Sequence, residues 1–121
     1  ERGGKIINLA SSAGLRGSPG LTAYAVAKEG IRALTKVAAH EWGQYKINVN
    51  AICPLAVTPK FEEWGNSEPE LRDTVIASIP LGRMGDCEID IGRVVAFLSS
   101  SDSDYITGLT MIVDGGQLIL H

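Results

Sequence analysis

Three side chains of complementary chemistry stand close together in the stretch from Ser11 to Lys28, SSAGLRGSPGLTAYAVAK. Tyr24 and Lys28 are four residues apart, which on a helix puts them on one face with their ends within reach of each other. A cation held beside a phenol favours the phenolate, and a tyrosine tuned in this way can serve as general acid or base. Ser11, at the end of an apolar run and ahead of a Gly-rich stretch, can offer a hydroxyl to the same substrate oxygen, with Ser12 as the alternative donor. Together the three describe proton transfer at a carbonyl or an alcohol. A Tyr-x-x-x-Lys pair also occurs on ordinary solvent-facing helices, so its meaning depends on what surrounds it.

Positioning these groups requires a strand, a turn and a helix, and the sequence supplies each. Lys5 to Ala10 is a short apolar run of the kind that forms a buried strand of a parallel sheet, ending at Ser11. Gly14, Gly17, Pro19 and Gly20 predict a loop, and Thr22 predicts the N-cap of a helix that runs to about Trp42 and closes at Gly43. The apolar residues Ala23, Ala27, Ile31, Leu34, Val37 and Ala38 follow a helical period along it. Lys46 to Ile52 predicts a second strand, stopped by Pro54 and Pro59. A loop over residues 55–66 holds a short helical segment with Phe61 and Trp64, and Ser67 predicts a cap for a helix over Glu68 to Ile79. Ile89 to Ser99 is amphipathic, Thr110 to Val113 reads as the last strand, and Asp114-Gly115-Gly116 turns the chain into a tail ending at His121. Alternating strands and helices indicate an α/β fold with parallel strands.

The 121 residues, 45% hydrophobic and 21% charged, suit one unit with a buried core. A formal charge of -3 offers no basic face for nucleic acid. Cys53 and Cys87 lie far apart with no Cys/His metal spacing, so no metal is expected, and His40 and His121 have no partner pattern for catalysis. The apolar runs are too short to cross a bilayer and the Glu-Arg-Gly-Gly opening has no apolar signal-type region, which makes cytoplasmic residence without membrane contact the expectation.

The ordered segments GKIINLASSAG (Gly4 to Gly14), YAVAK (Tyr24 to Lys28), NVNAICP (Asn48 to Pro54), PLGRMG (Pro80 to Gly85), YITG (Tyr105 to Gly108) and VDGG (Val113 to Gly116) closely resemble the short-chain dehydrogenase/reductase family, including its thirteen-residue step from serine to tyrosine. The resemblance covers the C-terminal half of the family pattern. It implies the C-terminal portion of a Rossmann-like doubly wound parallel sheet, with residues 1–121 forming the catalytic and substrate-binding half as a single unit. It also implies hydride transfer between NAD or NADP and a secondary alcohol, ketone or 3-oxoacyl-type substrate. On this resemblance Tyr24 is the acid/base and Lys28 assists it and binds the nicotinamide ribose. Ser11 would hold the substrate oxygen, with Ser12 the runner-up. Tyr24, Pro54, Val57 and Thr58 would contact the cofactor, Phe61 and Trp64 would lie where the substrate is covered, and the Tyr24 helix would join a subunit interface in a homo-oligomer.

Two departures from the family pattern stand out. Pro54-Leu55-Ala56-Val57-Thr58 lacks the usual glycine after the proline and brings the threonine one position nearer, and Gly85 to Gly92 carries one residue more than usual before its helix, with Cys87 at the helix entry. The family's Gly-rich phosphate turn, the residue that selects NAD or NADP, and its catalytic asparagine do not occur in these 121 residues. The first strand would be interior in the complete fold, so the expectation is that its free edge pairs either with an N-terminal half or with another copy. The competing expectation is a truncated, non-catalytic fragment stabilised by self-association or by a missing N-terminal half.

Overall fold

In the computed structural model, residues 3–120 are described; His121 lies outside them. Three parallel strands, β1 (Gly4–Leu9), β2 (Ile47–Pro54) and β3 (Thr110–Val113), form one sheet in the order β1-β2-β3. The register aligns Leu9 with Ile52 and Pro54 with Val113, so all three strands finish along one edge of the sheet. Five helices accompany them: α1 (Ser12–Arg16), α2 (Thr22–Trp42), α3 (Pro59–Ser67), α4 (Pro69–Ala77) and α5 (Arg93–Ser99). The architecture is that of the C-terminal portion of a Rossmann-like α/β domain.

The middle strand carries the core, because only it is flanked on both sides. Val49, Ala51, Ile52 and Cys53 are buried; Ala10 packs with Ala51 and Cys53, while Ala38 and Ala39 of α2 pack with Val49. By contrast β1 pairs with β2 alone among the described residues, and its Ile6 and Leu9 remain exposed, Leu9 at 54%. Polar side chains fasten the other end of the sheet: Asn50 Nδ2 donates to the Ile106 carbonyl at 2.9 Å, and its Oδ1 accepts from the Leu109 N–H at 3.0 Å.

Local chemistry explains where the elements depart from expectation. The stretch expected as a loop holds the short helix α1, because Ser11 Oγ accepts from the Ala13 N–H at 3.1 Å and Gly17, at φ 67°, closes the turn. Leu21, not Thr22, stands at the N-cap of α2 and makes no side-chain cap bond. Ser67 caps nothing: its hydroxyl donates back to the Trp64 carbonyl, and Pro69 opens α4 behind Glu68. The expected helix over residues 89–99 begins instead as a π-helical turn, Cys87–Gly92, before α5. Asp86 caps that turn by accepting from the N–H groups of Glu88 and Ile89, and its carbonyl accepts from Ile91 five residues on.

Candidate active site

The strand ends bring the candidate residues to one edge. Ser11 follows the end of β1, Pro54 ends β2 and leads into Val57 and Thr58, and Asp114 follows β3. Ligands of open α/β sheets bind in the crevice beyond such carboxyl ends.

Tyr24 and Lys28 occupy the first two turns of α2. Lys28 Nζ donates to the carbonyl of Leu9, the last residue of β1, at 3.1 Å and stands 5.7 Å from the centre of the Tyr24 ring. The ammonium is thereby held between a strand end and a phenol, in cation–π range. One hydrogen bond occupies one of its three donors, leaving two for a ligand. The Tyr24 side chain remains substantially open to solvent.

Ser11 and Ser12 sit at the head of α1, both half-buried. The Ser11 oxygen accepts the Ala13 N–H, which leaves its own hydrogen free to be donated to a substrate oxygen. Helix α1 reaches α2 through Gly14. A Cβ there would lie 2.8 Å from Glu29 Cγ and 3.2 Å from the Ala25 carbonyl, so only glycine fits the approach undisturbed. This contact fixes the Ser11 turn against the part of α2 that carries Tyr24 and Lys28.

The loop after β2 is tied down by its own chain. Val57 N–H donates to the Gly85 carbonyl at 2.9 Å, and the Val57 carbonyl accepts from the Cys87 thiol at 3.1 Å. Thr58 Oγ1 accepts from the Phe61 N–H at 3.1 Å as the N-cap of α3. What remains for a ligand is the Thr58 hydroxyl hydrogen and the second lone pair of the Val57 carbonyl. Pro54 is exposed at the strand end.

Beside this loop a cavity of about 460 Å³ lies between α3 and α4, lined by Val57, Phe61, Asn66, Arg72, Ile76 and Met84 among others. Trp64 does not line it; its ring packs on Phe61 at 5.6 Å between centroids. The two aromatic residues therefore part company, one facing the cavity and one packing behind it.

Two charged residues beside the site were not singled out from the sequence. Glu29 and Arg32 on α2 form an ion pair at 2.7 Å, and Arg32 Nε donates to Thr110 Oγ1 of β3 at 3.2 Å. Their i,i+3 spacing was readable; the strand that Arg32 would reach was not. Cys53 lies buried near these groups, and burial pushes its thiol pKa up against the opposing pull of Arg32. No helix among the described residues is long and apolar enough to cross a membrane.

Comparison with known proteins agrees with this fold. A family model described as enoyl-(acyl carrier protein) reductase matches residues 1–117. A 12α-hydroxysteroid dehydrogenase from Clostridium sp. is 50% identical over 97% of this chain and 45% of its own length. A diacetyl reductase ((S)-acetoin forming) from Staphylococcus aureus is 45% identical over 97% of this chain and 48% of its own. Among solved structures, a protein provisionally named 2-deoxy-D-gluconate 3-dehydrogenase from Agrobacterium tumefaciens, with NADP bound, superposes with a TM-score of 0.88 at 38% identity, over 96% of this chain and 47% of that one. The chain thus spans about half the length of the curated relatives it matches. With its fold, its motif order and these matches in agreement, the chain belongs to the short-chain dehydrogenase/reductase family.

Proposed function

We propose that this chain supplies the proton-handling and substrate-facing half of an NAD(P)-dependent oxidoreductase acting on a secondary alcohol or ketone. The observation that carries the proposal is Lys28, anchored on the Leu9 carbonyl and poised beside the Tyr24 ring at the carboxyl ends of the strands. Tyr24 exchanges a proton with the substrate oxygen, Lys28 holds a positive charge beside the Tyr24 ring, and the Ser11 hydroxyl donates to the same oxygen.

The donor set suits a nicotinamide nucleotide. The two free donors of Lys28 suit ribose hydroxyls. The Thr58 hydroxyl and the Val57 carbonyl offer a donor and an acceptor, the complement of a carboxamide. When bound, that nucleotide supplies or accepts the hydride. The alcohol or ketone reading follows the relatives, which are named for hydroxysteroid and diacetyl chemistry. Phe61 and its cavity suit an apolar portion of such a substrate.

The test is kinetic. In the whole protein that carries this chain, oxidation of secondary alcohols is followed by cofactor reduction, with NAD and NADP each supplied. Tyr24→Phe is expected to lower kcat by about 100-fold or more, the usual weight of a positioned acid/base. Turnover of the Tyr24→Phe protein at the parent rate would refute the assignment.

A second reading rests on the outer edge of β1, which has no ladder partner among the described residues, and on Val26, Leu34 and Val37, exposed along α2. In that reading the chain is a self-associating unit that makes protein contacts only. Sedimentation in the presence and absence of NADPH separates the two, because only the enzyme reading requires saturable cofactor binding.

A further inference from the structure

Glu29 is a charged residue with an unusual position. Its side chain is 38% exposed overall, yet Oε1 is buried and has no hydrogen-bond partner among the described residues. The chain of contacts around it crosses three elements. Glu29 Cγ lies against the bare face of Gly14 on α1, Glu29 Oε2 accepts from Arg32 Nη1 at 2.7 Å, and Arg32 Nε donates to Thr110 Oγ1 at the start of β3. The Arg32 side chain is only 18% exposed.

A partly buried carboxylate with one unsatisfied oxygen is held in place by its cation, not by its own solvation. Without Arg32 the Glu29 carboxylate gains by turning towards water, which withdraws Glu29 from Gly14 and loosens the first turns of α2 against α1, while Thr35, which accepts from Asn8 Nδ2 at 3.0 Å, and Ala38 and Ala39 on Val49 keep the rest of the helix on the sheet. Lys28 adjoins Glu29 in sequence and lies one turn before Arg32 on the same helix. A shift of these first turns therefore carries Lys28 away from the Leu9 carbonyl and moves the Tyr24 ring with it. Tyr24 has no hydrogen-bonded anchor of its own among the described contacts, so the placement of these turns sets its place.

We propose that the Glu29–Arg32 pair, through Gly14 and Thr110, seats the first turns of α2, and that Arg32 is a positioning residue for Tyr24 and Lys28. The role is mechanical: neither residue exchanges a proton or touches the reacting atoms. The consequence for turnover rests on the proton-handling reading of Tyr24; the positioning itself does not.

The test reads Tyr24 directly. In the whole protein that carries this chain, 3-fluorotyrosine placed site-specifically at position 24 gives a single fluorine probe there. Lys28→Met defines the resonance of a Tyr24 that has lost its cation. Arg32→Met is expected to move the resonance in the Lys28→Met direction or broaden it, and Arg32→Lys is expected to restore most of the parent signal. In the whole protein Arg32→Met is expected to lower kcat by about tenfold or more with KM changed less than about twofold, as misplacement of a reacting group does. A parent-like fluorine resonance together with a lowered Tm would make Arg32 purely structural and overturn the proposal. If Arg32→Met does not fold, Arg32→Lys and Glu29→Gln decide on the same resonance: both parent-like while Lys28→Met is shifted overturns it. A Lys28→Met resonance identical to the parent would overturn it as well, since Tyr24 would then not sense Lys28. Should Tyr24→Phe keep full turnover, the functional reading fails while the fluorine result still decides the positioning.

Discussion

Lys28 Nζ reaches the carbonyl of Leu9 at 3.1 Å while its charge stands 5.7 Å from the centre of the Tyr24 ring. A strand end thus fixes the cation, and the cation in turn faces the phenol. The ammonium therefore has two duties, as an anchor on the strand end and as a charge beside the ring. Lys28→Met keeps the aliphatic stem and removes the charge and the anchor. Because the bond is solvent-exposed, its loss is expected to cost stability only about 1 kcal/mol or less. On the proposed acid/base role of Tyr24, activity of the whole protein is expected to fall by about 100-fold or more, because Tyr24 loses the charge beside its ring. Thermal unfolding beside steady-state kinetics on the same preparation checks both halves.

Gly14 and Gly30 make a contrasting pair of helical glycines. A Cβ at Gly14 meets Glu29 Cγ at 2.8 Å, Glu29 Oε1 at 2.9 Å and the Ala25 carbonyl at 3.2 Å, whereas a Cβ at Gly30 meets nothing within 4 Å. Alanine at either site gains about 0.5–1 kcal/mol of helix propensity. At Gly30 that gain stands alone, so Gly30→Ala is expected to stabilise by about that amount. At Gly14 the added methyl must push Glu29 off α1 or part the two helices, at a cost of about 1–3 kcal/mol, so Gly14→Ala is expected to destabilise. Urea titrations of the two variants against the parent give the sign of each change.

How far the sequence reveals this arrangement depends on the range of the interaction. The strand of Thr110 to Val113 and the helix from Thr22 to Trp42 were legible because an apolar run or a sustained helical period is written in consecutive residues. The caps were less legible. Thr22 and Ser67 have the residue type of a cap, but whether a hydroxyl meets the first free N–H depends on backbone geometry that neighbouring elements settle. Thr58 shows the same limit from the other side. Read as a cofactor contact through the family pattern, its oxygen is also the cap of α3, and no local rule distinguishes the two uses. Long-range pairs such as Arg32 with Thr110 were not readable, because 78 residues separate them and only the sheet order brings them together.

Arg83 and Asp90 predict an acid-sensitive contribution to stability. The two terminal guanidinium nitrogens, Nη1 and Nη2, donate to the carboxylate at 2.6 and 2.9 Å, and the Asp86 N–H adds a third bond at 2.6 Å. The Arg83 hydrogen bonds, followed by that of Asp86, hold the Asp90 carboxyl well below the usual carboxylate range. A folded-state pKa below the unfolded value contributes stability that is fully present above the unfolded pKa of about 4 and is lost as pH falls from there through the folded value. Asp90→Asn is therefore expected to lower Tm at neutral pH, with the gap to the parent narrowing progressively below about pH 4. Melting curves across pH for the two proteins test the sign; a gap that widened with acid would contradict it.

The two cysteines are expected to react in a fixed order. Cys53 is buried in the middle strand, and burial raises its thiol pKa, with the nearby Glu29 and Asp114 carboxylates adding to the effect against Arg32 and Lys28. Little thiolate forms there at neutral pH, and access is closed as well. Cys87 is exposed at the start of the π-helical turn, so iodoacetamide is expected to modify Cys87 in the native protein and Cys53 only after denaturation, as peptide mass mapping would reveal. The modification also carries information about the cofactor loop. Alkylation removes the thiol hydrogen that Cys87 donates to the Val57 carbonyl, and the attached group must sit beside that loop. If Val57 helps to hold the nicotinamide, the alkylated protein should bind NADPH more weakly than the parent, and saturating NADPH should slow labelling of Cys87. Equal labelling rates with and without bound NADPH would remove Val57 from the proposed cofactor contacts.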